Sequence, residues 1–170
     1  MIKNIQILFI TSLILWFYST KTKTYPIIGS VQQSFSYCGG AKPTQEIIDN
    51  FAKLQPFKNK TFFIKKGKIN SINNKIVAKF TTDSLGNFSI KLPKGTYSIL
   101  VEEQIKEIKA EDYNTKFQTI NNECLQKWWK KPYYLLIVKK KNIPLKFIFN
   151  HRCYINSDIP CITYIGPRHP

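Results

Sequence analysis

Residues 81–101 read TTDSLGNFSIKLPKGTYSILV, and their alternation decides the fold. Phe88, Ile90 and Leu92 fall on one face of a strand, and Tyr97, Ile99 and Val101 on one face of the next. Just upstream, Ile76, Ala78 and Phe80 repeat the pattern. A period of two buries each strand on one side only. The breaks between the runs carry turn chemistry. In Asp83-Ser84-Leu85-Gly86-Asn87 the Asp83 side chain can accept hydrogen bonds from the backbone ahead of it, and Gly86 tolerates a positive φ. In Pro93-Lys94-Gly95 the proline fixes φ and the glycine closes the turn. The three runs are expected to form an antiparallel meander with one apolar face. A second sheet must cover that face, so a β-sandwich follows.

Working outward, further strands are expected over 27–38, 60–66, 133–138 and 145–150, the last with Leu145, Phe147 and Phe149 alternating. Gly39, Gly40 and Pro43 break the first of these; the glycine pair lets the chain turn sharply beside Cys38, or lets a ligand approach the backbone. TQEIIDNFAKL places Ile47, Phe51 and Leu54 at helical spacing behind a Thr44 cap, with Pro56 as the stop. Residues 102–131 are too long and polar for a hairpin loop. Within them ECLQKWWKKP reads as a short helix halted by Pro132, with Cys124/Trp128 and Leu125/Trp129 at i,i+4 and one of those pairs packed inward. The fold class is mainly β: an antiparallel sandwich with one or two short helices and an irregular, disulfide-pinned C-terminal tail.

The length of 170 residues suits one domain with a tail. Lys3 followed by the apolar run Ile7 to Tyr18 has the pattern of a secretory signal, and twelve residues are too few for a membrane span. The expected organisation is a signal over 1–20, an uncleaved anchor being the alternative, a sandwich over 25–150 and the tail over 151–170. No cysteine lies just after the apolar run, which excludes a lipobox-type anchor. A periplasmic, cell-surface or secreted location follows.

The formal net charge of +16 invites nucleic acid as a partner. The charge is made of 24 lysines, with Arg152 and Arg168 the two arginines. Base and phosphate recognition favours the arginine fork. Lysines scattered through strands and loops, alongside abundant Ile and Asn, fit the codon usage of an AT-rich genome. Nucleic acid is therefore not an expected partner.

In an oxidising compartment Cys38, Cys124, Cys153 and Cys161 are read as two disulfides. Of the three pairings, the eight-residue spacing favours Cys153–Cys161 as a local clamp, with Cys38–Cys124 as a long-range tie.

Thr82, Asp83, Gly86, Phe88, Leu92, Pro93, Gly95 and Tyr97 spell T-D-x-x-G-x-F followed by L-P-x-G-x-Y. That pattern resembles the carboxypeptidase regulatory-like domain, which implies a prealbumin (transthyretin)-like sandwich of about seven strands. The resemblance covers the central third of the chain. It implies a module that is mostly non-catalytic, found beside peptidases, at the start of outer-membrane receptors and in surface proteins. YCGGAKP (37–43) and PCITYIGPRHP (160–170) resemble segments of small exported proteins of Bacteroidota-type bacteria.

Catalysis needs a nucleophile or metal with a positioned base. The chain has two histidines and neither G-x-S-x-G nor H-E-x-x-H, and Asp83 is accounted for by its turn. An enzyme is not expected, and no cofactor. His151, Cys153, Cys161 and His169 are the one set with metal-ligand chemistry, the alternative to a structural disulfide. Trp128, Trp129, Lys130, Lys131, Tyr133 and Tyr134 are the best candidate ligand surface, since aromatic faces stack on sugar rings and lysines favour an anionic glycan or membrane surface. Against this, large aromatics are usually core. The expected function is a non-catalytic binding or structural module of the cell envelope, partnered by an envelope protein or glycan.

Overall fold

The computed structural model describes residues 22–38, 41–142, 144–151 and 159–167. The expected signal over 1–20 and Gly39-Gly40 lie outside the described residues. Ten strands, β1 (Thr24–Phe35), β2 (Gln55–Pro56), β3 (Thr61–Lys66), β4 (Ile76–Thr81), β5 (Asn87–Pro93), β6 (Gly95–Leu100), β7 (Gln118–Ile120), β8 (Tyr134–Val138), β9 (Leu145–His151) and β10 (Ile162–Tyr164), are joined by α1 (Gln45–Ala52) and α2 (Asn122–Lys130).

One sheet runs β4-β3-β6-β8, antiparallel throughout. The other is built on β1. Gly29 pairs with Phe88 of β5 and with Leu145 of β9 at once, so those strands occupy opposite edges of β1. Gln32 likewise faces both Pro56 and Ile148, which puts β2 on the same edge as β5. All pairs in the sandwich are antiparallel except β1–β9, which is parallel; the fully antiparallel expectation is corrected at that pair.

The expected meander is also corrected. The strands at 76–81, 87–93 and 95–100 exist, but β5 belongs to the sheet of β1 while β4 and β6 belong to the other. The chain crosses between layers at each turn. Asp83 still builds the first turn: its Oδ1 accepts from the Leu85 and Asn87 N–H groups, each at 2.8 Å, and Gly86 sits at φ +79°. A Cβ on Gly86 would overlap the Val31 carbonyl oxygen, and the Gly86 carbonyl accepts from Val31 N–H at 2.8 Å. The turn thus extends the edge of β1, which demands glycine for closeness as well as for φ. At the second crossing Gly95 takes φ +154°, and the Tyr97 hydroxyl donates to the Pro93 carbonyl at 3.0 Å.

Crossing brings the alternating aromatics face to face. Phe80 of β4 stacks on Phe88 of β5 at 4.1 Å, Phe62 stacks on Phe80 at 5.2 Å, and Phe147 meets Phe62 edge-on at 5.5 Å. With Ile27, Val31, Ile64, Leu92, Ile99, Leu136 and Val138 they fill the space between the sheets. Each such side chain contributes about 1.5–3 kcal/mol by leaving water.

Residues 102–131 form a second, smaller core with the tail. Ile108, Leu125, Trp129 and Ile159 pack together, and β10 pairs with β7. The tail therefore carries a strand and is not wholly irregular. It is pinned by a disulfide, but by Cys124–Cys161 with a Cα–Cα distance of 5.8 Å. That bond excludes both expected pairings, Cys153–Cys161 and Cys38–Cys124. The cause is placement: β10 on β7 sets Cys161 beside the start of α2, where the Asn121 N–H donates to the Cys161 carbonyl at 3.1 Å. Closing its 37-residue separation is worth about 4 kcal/mol on the loop-entropy model. Cys38 is also disulfide-bonded.

α1 begins as its sequence predicts. Thr44 Oγ1 accepts from the Ile47 N–H at 3.4 Å, and the helix ends at Ala52 before Gln55–Pro56 join the edge of β1.

Candidate functional site

A cleft of about 690 Å³ lies between α2, the segment Val101–Gln104 and the end of β9. Its shape follows from how α2 is held. Asn121 caps the helix by accepting from the Cys124 N–H at 2.9 Å. Glu123 in the first turn and Lys127 and Lys130 in the last match the helix dipole. Glu123 and Lys127 pair at 2.6 Å in the open, which adds little stability. Leu125 and Trp129 are the inward i,i+4 pair, and the Trp129 indole N–H donates to the Lys106 carbonyl at 2.7 Å.

A helix C-terminus leaves carbonyls unpaired. Here two side-chain amides meet them. The Gln104 Nε2 donates to Trp128 O at 3.1 Å and Lys131 O at 2.8 Å, and the Asn70 Nδ2 to Trp129 O at 3.0 Å. The Asn70 backbone N–H donates to Lys130 O at 2.8 Å. Asn70 and Gln104 are each 2% exposed. Behind them, the Lys65 ammonium donates to Asn70 Oδ1 at 3.0 Å and Ser71 O at 2.9 Å and lies 5.9 Å from the centre of the Trp129 ring. Burial pushes the Lys65 pKa below its ordinary value. This network fixes α2, and with it one wall of the cleft.

Of the expected ligand surface, Trp128, Lys131 and Tyr133 line the cleft. Trp129 is buried in the second core, Tyr134 stacks on Phe147 at 5.2 Å, and Lys130 is exposed outside the cleft. The adjacent tryptophans do not form one platform, because successive helix positions are about 100° apart. The Tyr133 ring stacks on Phe149 at 4.6 Å and its hydroxyl donates to the Ile148 carbonyl at 2.6 Å. Glu103, Asn121 and Asn150 also line the cleft. They arrive from separate segments, and no spacing in the sequence unites them.

Among the described residues no group of metal-ligating side chains is assembled. Cys161 spends its sulfur on Cys124. His151 is stacked on Phe35 at 4.5 Å with its Nε2 3.0 Å from Gln33 Oε1. Cys153 and His169 lie outside the described residues. Asp83 lies at a second cleft of about 630 Å³, where the Asn87 N–H and then the Leu85 N–H hold its carboxyl below the usual carboxylate range.

No family model matches this sequence, and no curated protein matches it. Among solved structures, the crystal structure of the major pilin subunit of Bacillus cereus is similar at 16% identity, with a TM-score of 0.31 over 73% of this chain. The similarity spans 30% of that pilin.

Proposed function

We propose that the chain is an exported, non-catalytic binding or structural module of the cell envelope, with the cleft beside α2 as its binding surface. One observation carries the reading: every described cysteine is oxidised, and the Cys124–Cys161 bond joins the tail to the helix that walls the cleft. Structural disulfides of this kind belong to oxidising compartments. The apolar run with a basic start before β1 agrees with export. Membership of the carboxypeptidase regulatory-like family is part of the proposal. Seven long strands in two layers and the Asp83–Gly86 turn support it.

The test is thiol labelling of protein recovered from the envelope or medium of the expressing cell. No label is expected until the protein is reduced and unfolded. Protein found in the cytosol with reactive thiols would overturn the proposal.

A further inference from the structure

Building on the reading of the chain as a binding module, we infer that the cleft beside α2 takes a short, uncharged oligosaccharide, with the Trp128 indole as its platform. The two tryptophans of α2 are treated differently by the fold. Trp129 is buried with its indole N–H bonded to a carbonyl, whereas Trp128 is half-buried in the cleft wall and its N–H has no partner among the described residues. No buried side-chain nitrogen or oxygen among the described residues lacks a partner, so that N–H is open to the cleft or to solvent.

Other unused polar groups accompany it. Asn121 and Asn150 each commit the amide oxygen, to the Cys124 N–H and the Ser34 hydroxyl, and the amide nitrogen has no partner among the described residues. Glu103 and Lys131 form no ion pair among the described residues. An aromatic face ringed by both donors and acceptors is the complement of a pyranose, which has apolar C–H faces and hydroxyls at its rim.

Charge selects among sugars. Lining carboxylates Glu103 and Glu123 balance lysines Lys127 and Lys131, although the chain as a whole is at +16. The lining itself carries no net formal charge, so it offers an anionic polymer no local excess of lysine. The volume of about 690 Å³ lies within the range of roughly 300–1,000 Å³ that small-ligand sites occupy.

The experiment uses the oxidised full chain after any signal processing. Maltotriose, cellotriose, tri-N-acetylchitotriose and, as the acidic probe, trigalacturonic acid are titrated by tryptophan fluorescence and calorimetry. Salt is set at about 0.15 M and about 1 M, where Debye lengths are about 8 and 3 Å. At least one neutral trisaccharide should bind with an affinity that changes less than about twofold with salt. Trp128→Ala should weaken it by about tenfold or more, and Trp128→Phe, which keeps the ring and loses the N–H, by about 2- to 12-fold. The Phe variant keeps the test decisive if the Ala variant does not fold. Failure of every neutral probe overturns the inference. So does binding confined to trigalacturonic acid and lost in high salt, or undiminished binding by both Trp128 variants. Cytosolic protein with reactive thiols would instead sink the export reading and leave these titrations standing.

Discussion

Replacing Asn70 with alanine tests whether α2 is held by the buried amide network. Its side chain makes three hydrogen bonds: to Gln104 O at 2.7 Å, to Trp129 O at 3.0 Å, and from the Lys65 ammonium at 3.0 Å. Neutral bonds are worth about 0.5–1.5 kcal/mol each and a bond to a charged group about 1.5–3 kcal/mol. Lys65 keeps the Ser71 carbonyl and Trp129 ring as partners, so the expected loss for Asn70→Ala is about 3–4 kcal/mol. In a chain of this size that corresponds to a fall in Tm of about 6–16 °C. Urea unfolding of the oxidised protein measures it directly. Asn74→Ala, which removes one exposed bond to Lys66 O at 3.3 Å, is the control and should cost under about 1 kcal/mol. In a Lys65→Met background the Asn70 substitution should cost at least about 1 kcal/mol less, because no ammonium is deprived of its acceptor. A loss below about 1 kcal/mol in the wild-type background refutes the reasoning, since the helix carbonyls would then be satisfied without Asn70.

Two further outcomes follow from the strand register and the first turn. Phe35 pairs with His151 in the parallel β1–β9 ladder, the Ser36 N–H donates to the His151 carbonyl, and Cys38 is disulfide-bonded while Cys124 and Cys161 hold each other. Mass spectrometry of a non-reduced digest should therefore return Cys38 joined to Cys153; a free Cys38 thiol in the native protein would refute this. The folded state depresses the Asp83 pKa, so its turn is fully supported above the unfolded value of about 3.9 and loses that support as pH falls through the lower folded value. Asp83→Asn should flatten the fall of Tm on acidification below about pH 4, and an unchanged acid profile would remove Asp83 from the account.

What was legible in the sequence is what periodicity encodes. The runs at Ile76–Phe80, Phe88–Leu92 and Tyr97–Val101 announced strands, and Phe80, Phe88, Leu92, Tyr97, Ile99 and Val101 are core, whereas Ile76 at the start of β4 is exposed. Periodicity does not encode which sheet a strand joins. A turn such as Asp83–Asn87 serves equally to reverse the chain within a sheet or carry it to the next, and here the fit of Gly86 against Val31 decides. The cysteine spacing failed for a related reason. Cys161 is placed by β10 pairing with β7, and three-residue strands leave almost no pattern. Thr44, Leu125 and Trp129 act as their local spacing predicts. Asn70 sits in a polar stretch that reads as a surface turn. Its burial depends on carbonyls 59 residues further along, and nothing local records that.

The parallel pairing of β1 with β9 also dictates the order of folding. β1 is the first strand of the described chain, yet one of its edges is completed by residues 145–151, with partners such as Ser34 and Asn150 separated by 116 positions. During synthesis that edge stays bare until residues 145–151 have been made. The local crossings at Asp83 and Gly95 can organise early, but the layer built on β1 must wait for its last member. Long-range pairing of this kind raises contact order and slows folding into the millisecond-to-second range. Until β9 is made, that edge of β1 offers unpaired backbone groups to any other strand it meets.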